Sequence, residues 1–215
     1  MARRTYPTDL TDRQWDRVQG WIPAAKPGGR PRALDMRPVL DAILYIVVTG
    51  VQWRLLPTDF PAWQSVYYYF RAWRKEGVWQ RIHDALRALV PRQAGRHKHP
   101  TAGALDSQSA PTTQVRGVRG YDKGKNVKGR KRHLPVDTLG LVLMVVVTAA
   151  SVCGPAGARM VFGRMGGACK KLRRVWVDGT HRGHLLQWVL SHLWFVLTPV
   201  LRCQGQRGFA LLRHR

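Results

Sequence analysis

Lys131-Arg-His-Leu-Pro-Val-Asp-Thr-Leu-Gly-Leu-Val-Leu-Met-Val-Val-Val-Thr148 decides the fold class. Two runs, Lys131 to Val136 and Leu141 to Thr148, flank the turn formers Asp137-Thr-Leu-Gly140, which predicts a hairpin of two strands. Working outward, Ala102-Gly-Ala-Leu-Asp106 suits a short strand ending on a polar residue, and Arg174-Val-Trp-Val177 another that ends at Asp178-Gly179. His184 to Leu193 reads as a helix and Trp194 to Val200 as a further strand. Strands mixed with helices predict an α/β domain built on a mixed sheet.

Upstream the period changes to that of a helix. Thr11 can cap a segment with Trp15, Val18 and Ile22 at helical spacing, and Asp35 precedes the run Val39, Leu40, Ile43, Leu44, Ile46, Val47, stopped by Gly50. A third helix carries Trp63, Val66, Tyr67, Phe70 and Trp73, and a fourth Trp79, Ile82, Leu86 and Leu89. Trp63, Trp73 and Trp79, at helical spacing, read as core. The polar, proline-bounded stretch from Pro91 to Pro100 lacks periodicity. The expected organisation is therefore a helical, DNA-binding domain over 1–90, a linker over 91–101 and an α/β domain over 102–215.

Charge narrows the partner. The 215 residues hold 36 Lys+Arg against 12 Asp+Glu, a formal net charge of +24, and 18 of those charges fall after residue 90. That excess predicts a polyanionic partner, most simply DNA. Nine Trp, six Tyr and five Phe exclude a solvated tail. The longest apolar run, Leu141 to Ala150, is about half the roughly 20 residues of a membrane helix. Three cysteines in no CxxC pair, and an N-terminus without an apolar signal region, predict a cytoplasmic chain.

Two constellations can carry chemistry. Asp106 and Asp178 each end an apolar run, and two carboxylates from separate strands can hold Mg²⁺ or Mn²⁺, hard ions that prefer oxygen. A pair of such ions activates a nucleophile and stabilises the leaving oxygen of a phosphodiester. An Asp before Gly is also an ordinary turn former. Between them lie Arg116, Arg119, Lys123, Lys125, Lys128, Arg130, Lys131, Arg132 and His133, interleaved with glycines and opposed by Asp122. This segment reads as a phosphate-tracking strand and turn, against the plainer reading of a solvated basic hairpin. His97 and His99 belong to the linker, and Asp178, His181 and His184 have helical spacing that a small metal cluster would share.

Ala104-Leu-Asp-Ser-Gln-Ser109, Arg119-Gly-Tyr-Asp-Lys-Gly-Lys-Asn-Val-Lys-Gly-Arg-Lys-Arg-His133, Val136-Asp-Thr-Leu-Gly140 and Val175-Trp-Val-Asp-Gly179 resemble bacterial insertion-sequence transposases. The likeness is to insertion-sequence family five, within the DDE class. Leu10-Thr-Asp-Arg-Gln-Trp15, Gly29-Arg-Pro-Arg32, Gly50-Val-Gln-Trp-Arg-Leu-Leu-Pro57 and Trp63-Gln-Ser-Val-Tyr-Tyr68 extend it to the helical half. The resemblance implies an RNase H-like catalytic domain, metal-dependent cleavage at transposon ends and strand transfer into target DNA, and a homo-oligomer. Asp106 and Asp178 match the first two acids of the triad. The third, a glutamate in a Trp-Val-Val-Glu-Arg-type motif, is expected soon after Gly208-Phe-Ala-Leu-Leu212, where this sequence reads Arg213-His-Arg215. No Asp or Glu follows Asp178, and the only Glu in the chain is Glu76. Cys153-Gly-Pro-Ala-Gly-Ala158 and Thr180-His181 also depart from the family pattern. These departures imply a truncated or frameshifted copy. Two readings follow: a DDE transposase inactive in this form, or a non-catalytic DNA-binding product that regulates or inhibits transposition. A basic RNA-binding protein is a third, disfavoured because it has no use for converging aspartates.

Overall fold

The computed structural model describes residues 4–25, 28, 32–95, 97, 99–112, 117–165, 169–179, 181 and 183–201. Two compact units, Met1–Leu86 and Arg87–Arg215, divide the chain.

The first unit is helical, and local chemistry sets its boundaries. Thr11 caps α1 (Asp12–Val18) in a reciprocal box with Gln14, and Asp35 caps α2 (Met36–Thr49) by accepting from the Arg37 N–H. Gly50 ends α2 at φ 69°, a left-handed conformation that a side chain disfavours. Helix α3 spans Trp63–Lys75, and α4 spans Val78–Gln93. Val39, Leu40, Ile43 and Ile46 of α2 pack with Val66 and Trp73 of α3 and with Val78 and Ile82 of α4. Trp73 is buried, with its ring 5.3 Å from that of Trp79. Buried Asp41 is satisfied by the Leu10 N–H at 2.9 Å, and Arg37 ties the same segment down through the Leu10 carbonyl and Asp12. The expected linker begins inside α4, which runs through Pro91 to Gln93.

The second unit is a mixed sheet with helices: β1 (Ala102–Pro111), β2 (Gly120–Asp122), β3 (Val127–Asp137), β4 (Val146–Ala149), α5 (Gly154–Met165), β5 (Arg174–Asp178), α6 (His184–His192) and β6 (Val196–Val200). Strand order is β2-β3-β1-β5-β6, with β4 also on β3. Strands β1, β2, β3 and β4 pair antiparallel, while β5 and β6 run parallel to β1. This is the RNase H-like arrangement. The hairpin forms at Asp137–Gly140, where Asp137 accepts from the Leu139 and Leu141 N–H groups and Gly140 adopts φ 77°. Its second strand is shorter than the apolar run predicts, starting at Val146. Pro135, opposite, has no N–H to donate, and only its carbonyl is used, by Leu143.

One face of the sheet is packed. Leu105, Val175, Val177 and Leu197 meet Val161, Phe162 and Met165 of α5 and Leu185 and Val189 of α6. Helix α5 carries Gly157 because the His133 imidazole occupies the space a Cβ would need. Gly157→Ala should therefore destabilise this unit by about 1–3 kcal/mol, overpacking outweighing the gain in helix propensity. Gly163→Ala in the same helix, where a Cβ meets nothing within 4 Å, should be neutral or stabilising. Thermal melts of both variants check the contrast.

Candidate active site and nucleic-acid interface

Strand β5 supports only the first part of β1. Their parallel register runs from Ala102↔Arg174 to Leu105↔Val177, and the next residues on the two strands are Asp106 and Asp178. Registered residues on parallel neighbours point to the same face, and adjacent strands lie roughly 4.8 Å apart. Leu105 and Val177 are buried while Asp106 and Asp178 are exposed, so both aspartates stand on the open face of the sheet. Asp178 is the last residue of β5, as expected. Asp106 does not end its strand: β1 continues to Pro111 because β3 pairs with it from Gly103↔Asp137 to Pro111↔Gly129. Asp106 thus marks where the parallel support stops, with its Oδ1 accepting from the Ser107 N–H at 2.7 Å. Asp178 Oδ1 lies 2.5 Å from His181 Nδ1.

The same alternation sorts the cationic segment. In β3, Gln108↔Arg132 and Ala110↔Arg130 place both arginines on the face that holds Asp106. Lys128, two residues before Arg130, shares that face by alternation. Lys128 and Arg132 are exposed, and Arg130 is half-buried with its Nε donating to the Val118 carbonyl at 3.1 Å. Arg119, Lys123 and Lys125 are exposed in and before the β2–β3 turn. Lys125 Nζ donates to the Ser107 carbonyl, which ties the β2–β3 turn to β1 one residue past Asp106. Arg116 lies outside the described residues.

Lys131 and His133 correct the sequence reading, which had them touching DNA. Both point to the packed face and are buried, 7% and 1% exposed. Lys131 Nζ bonds Asp122 Oδ2 at 3.0 Å and the Val152 carbonyl at 3.0 Å. Asp122 also accepts from Ser109 Oγ at 2.6 Å and from the Gly124 and Lys125 N–H groups, so its carboxyl is held well below the usual carboxylate range, led by the Ser109 and Lys131 hydrogen bonds. A buried ammonium needs such a partner, and the pair tethers the β2–β3 turn. The sequence signal was strict alternation along β3, which gives odd and even cations opposite fates.

His133 Nε2 is 3.0 Å from Thr148 Oγ1. Burial, and then the neighbouring Lys131 and His181, push its pKa below the ordinary imidazole value. In the unfolded chain this histidine takes up a proton near pH 6.5 that the folded protein resists. Its contribution to stability is therefore present above that pH and is lost as pH falls below it. Melting temperature should drop between pH 7.5 and 5.5, and His133→Gln should shallow that drop.

Of the remaining candidates, His97, His99 and His184 are exposed. Among the described residues no group of three or more His, Cys, Asp or Glu could hold a metal ion, so Asp178, His181 and His184 make no such cluster. Thr180 and residues 208–215 lie outside the described residues. No helix among the described residues is long and apolar enough to cross a membrane.

Residues 97–213 match the family described as "Transposase DDE domain", a span that covers both aspartates and the whole sheet. The chain belongs to the DDE transposase domain family. Residues 10–83 match a second family, described as "Putative transposase of IS4/5 family", which agrees with the insertion-sequence resemblance. The chain is 32% identical over 106 residues to the insertion element IS402 uncharacterized 16.2 kDa protein of Burkholderia cepacia, covering 46% of this chain and 71% of that protein. It is 32% identical over 85 residues to the uncharacterized protein y4sN of Sinorhizobium fredii, covering 40% of this chain and 65% of that protein. Among solved structures, the Mos1 transposase paired-end complex with the left transposon end is similar at a TM-score of 0.31 and 11% identity, covering 86% of this chain and 65% of that one. At that score the likeness adds nothing to the assignment. DDE domains use divalent metal ions. The donor set fits one in kind: two exposed carboxylates in adjacent register, oxygen ligands for a hard cation.

Proposed function

We propose that this chain serves DNA transposition as the DNA-gripping, metal-holding portion of a DDE transposase. The observation that carries the reading is the register that sets Asp106 beside Asp178 on the open face, with Arg130 and Arg132 on the same face of neighbouring β3. Asp106 and Asp178 would hold Mg²⁺ or Mn²⁺, which when bound supplies charge neutralisation and activation of an attacking oxygen at phosphorus. Arg132, Lys128 and Lys125 would place a DNA backbone over the two carboxylates, because cations that contact phosphates fix orientation without reading sequence. The DNA would be a transposon end and then its target.

The carboxylate inventory favours a second reading for the 215-residue chain by itself. No acid follows Asp178, and no third ligand joins the pair among the described residues. It would then occupy DNA without cutting and compete with active transposase. The test of the shared site is Mn²⁺ binding, followed by electron paramagnetic resonance or calorimetry. Asp106→Asn and Asp178→Asn should each weaken binding more than about tenfold, since removing even an outer partner of a metal ligand costs about 10–100-fold. Binding that neither variant changes would refute the assignment.

A further inference from the structure

His181 is 2% exposed, and its imidazole lies at hydrogen-bond distance from a carboxylate that faces solvent. The side chains of His181 and Asp178 are 3% and 56% exposed. The His181 N–H also donates to the Asp178 carbonyl at 3.1 Å, which holds the ring beside the last residue of β5. A carboxylate only accepts hydrogen bonds, so Nδ1 carries a proton in this contact. Burying an imidazole costs free energy unless its polar atoms are engaged, and Asp178 engages Nδ1. An aspartate at an exposed strand end would otherwise sample several rotamers.

We propose that His181 is a positioning residue for the metal site: it holds the Asp178 carboxylate in the rotamer seen here, engaging Oδ1 and assigning metal coordination to Oδ2, without itself binding the ion. This rests on the reading of Asp106 and Asp178 as metal-holding carboxylates. Such an outer partner fixes the orientation of the ligand, typically worth about 10–100-fold in metal affinity. A ring whose surface is buried makes a poor direct ligand for an ion on the open face. Histidine three residues after the aspartate bonds that aspartate through both its backbone N–H and its ring, which gives the i+3 spacing a structural meaning.

The experiment titrates the full 215-residue chain with Mn²⁺ alone as the probe, with thermal melts run in parallel. His181→Leu fills the same space without a donor and should weaken Mn²⁺ binding about tenfold. His181→Asn keeps a side-chain N–H near the position of Nδ1 and should bind within a few-fold of the parent. In an Asp178→Asn background, His181→Leu should have no further effect, because the group it orients is already altered. If His181→Leu does not fold, His181→Gln, whose donor falls nearer the position of Nε2, takes its place and should lose affinity equally. The proposal is overturned if Leu or Gln at 181 binds Mn²⁺ like the parent, if Asn binds as weakly as Leu, or if the loss persists in full beside Asp178→Asn. Failure of the underlying site reads differently: Asp106→Asn and Asp178→Asn would then leave Mn²⁺ binding unchanged.

Discussion

Incubated with a labelled transposon end in Mg²⁺ or Mn²⁺, the purified 215-residue chain is expected to hold the DNA and leave it uncut. Two aspartates suffice for one ion, because water fills the remaining coordination positions. The DDE class uses a third acid, and this sequence supplies none after Asp178. Glu76 belongs to the helical unit, at the end of α3, and Asp122 and Asp137 are buried and committed to turns. A second ion would lack its anchor, and with it the group that keeps attacking and leaving oxygens in line. Positioning and charge neutralisation supply most of the catalysis in phosphoryl transfer, so the loss is several powers of ten in rate. Metal-dependent nicking by this chain, abolished by Asp106→Ala, would overturn the expectation.

The second large effect is on DNA affinity. With six phosphates contacted, the binding constant should fall by about three powers of ten between 50 and 200 mM salt, since each contact contributes about 0.9 to the logarithmic slope. Replacing Lys128, Arg130 and Arg132 together by alanine should shallow the slope by about 2.7 if each meets a phosphate. Lys131→Ala should behave differently. It strips the buried Asp122 carboxylate of its ammonium, so it should cost roughly 3 kcal/mol of stability and leave the salt slope of the folded protein unchanged. A slope that the triple variant does not alter would make the open face of β3 a solvated surface only.

Helix α5 shows where sequence reading stops. Gly154, Pro155, Gly157 and Gly163 give it poor helix propensity, and the reading assigned no element there. It forms because Ala158, Val161, Phe162 and Met165 are buried against the sheet, and Gly157 is required because His133 lies beneath it. Strand β2 is three residues long, too short for alternation to register, and is held by the Asp122–Lys131 pair rather than by propensity.

What the sequence by itself determined is local or additive. Helical period placed all four N-terminal helices, and Thr11 and Asp35 as caps and Gly50 as a stop marked the ends of the first two, because each signal acts within one turn of chain. The hairpin at Asp137–Gly140 and the excess of cations after residue 90 were equally legible, since turn chemistry and net charge require no partner element. Pairing was left to tertiary structure. The register of β1 on β5 and β3 set Asp106 beside Asp178, exposed Lys128 and Arg132, and buried Lys131 and His133. A strand's side chains alternate with period two, so which set faces DNA and which faces α5 depends on neighbours far away in sequence. The contact between His181 and Asp178 joins residues only three apart, yet its burial depends on the packed unit around it.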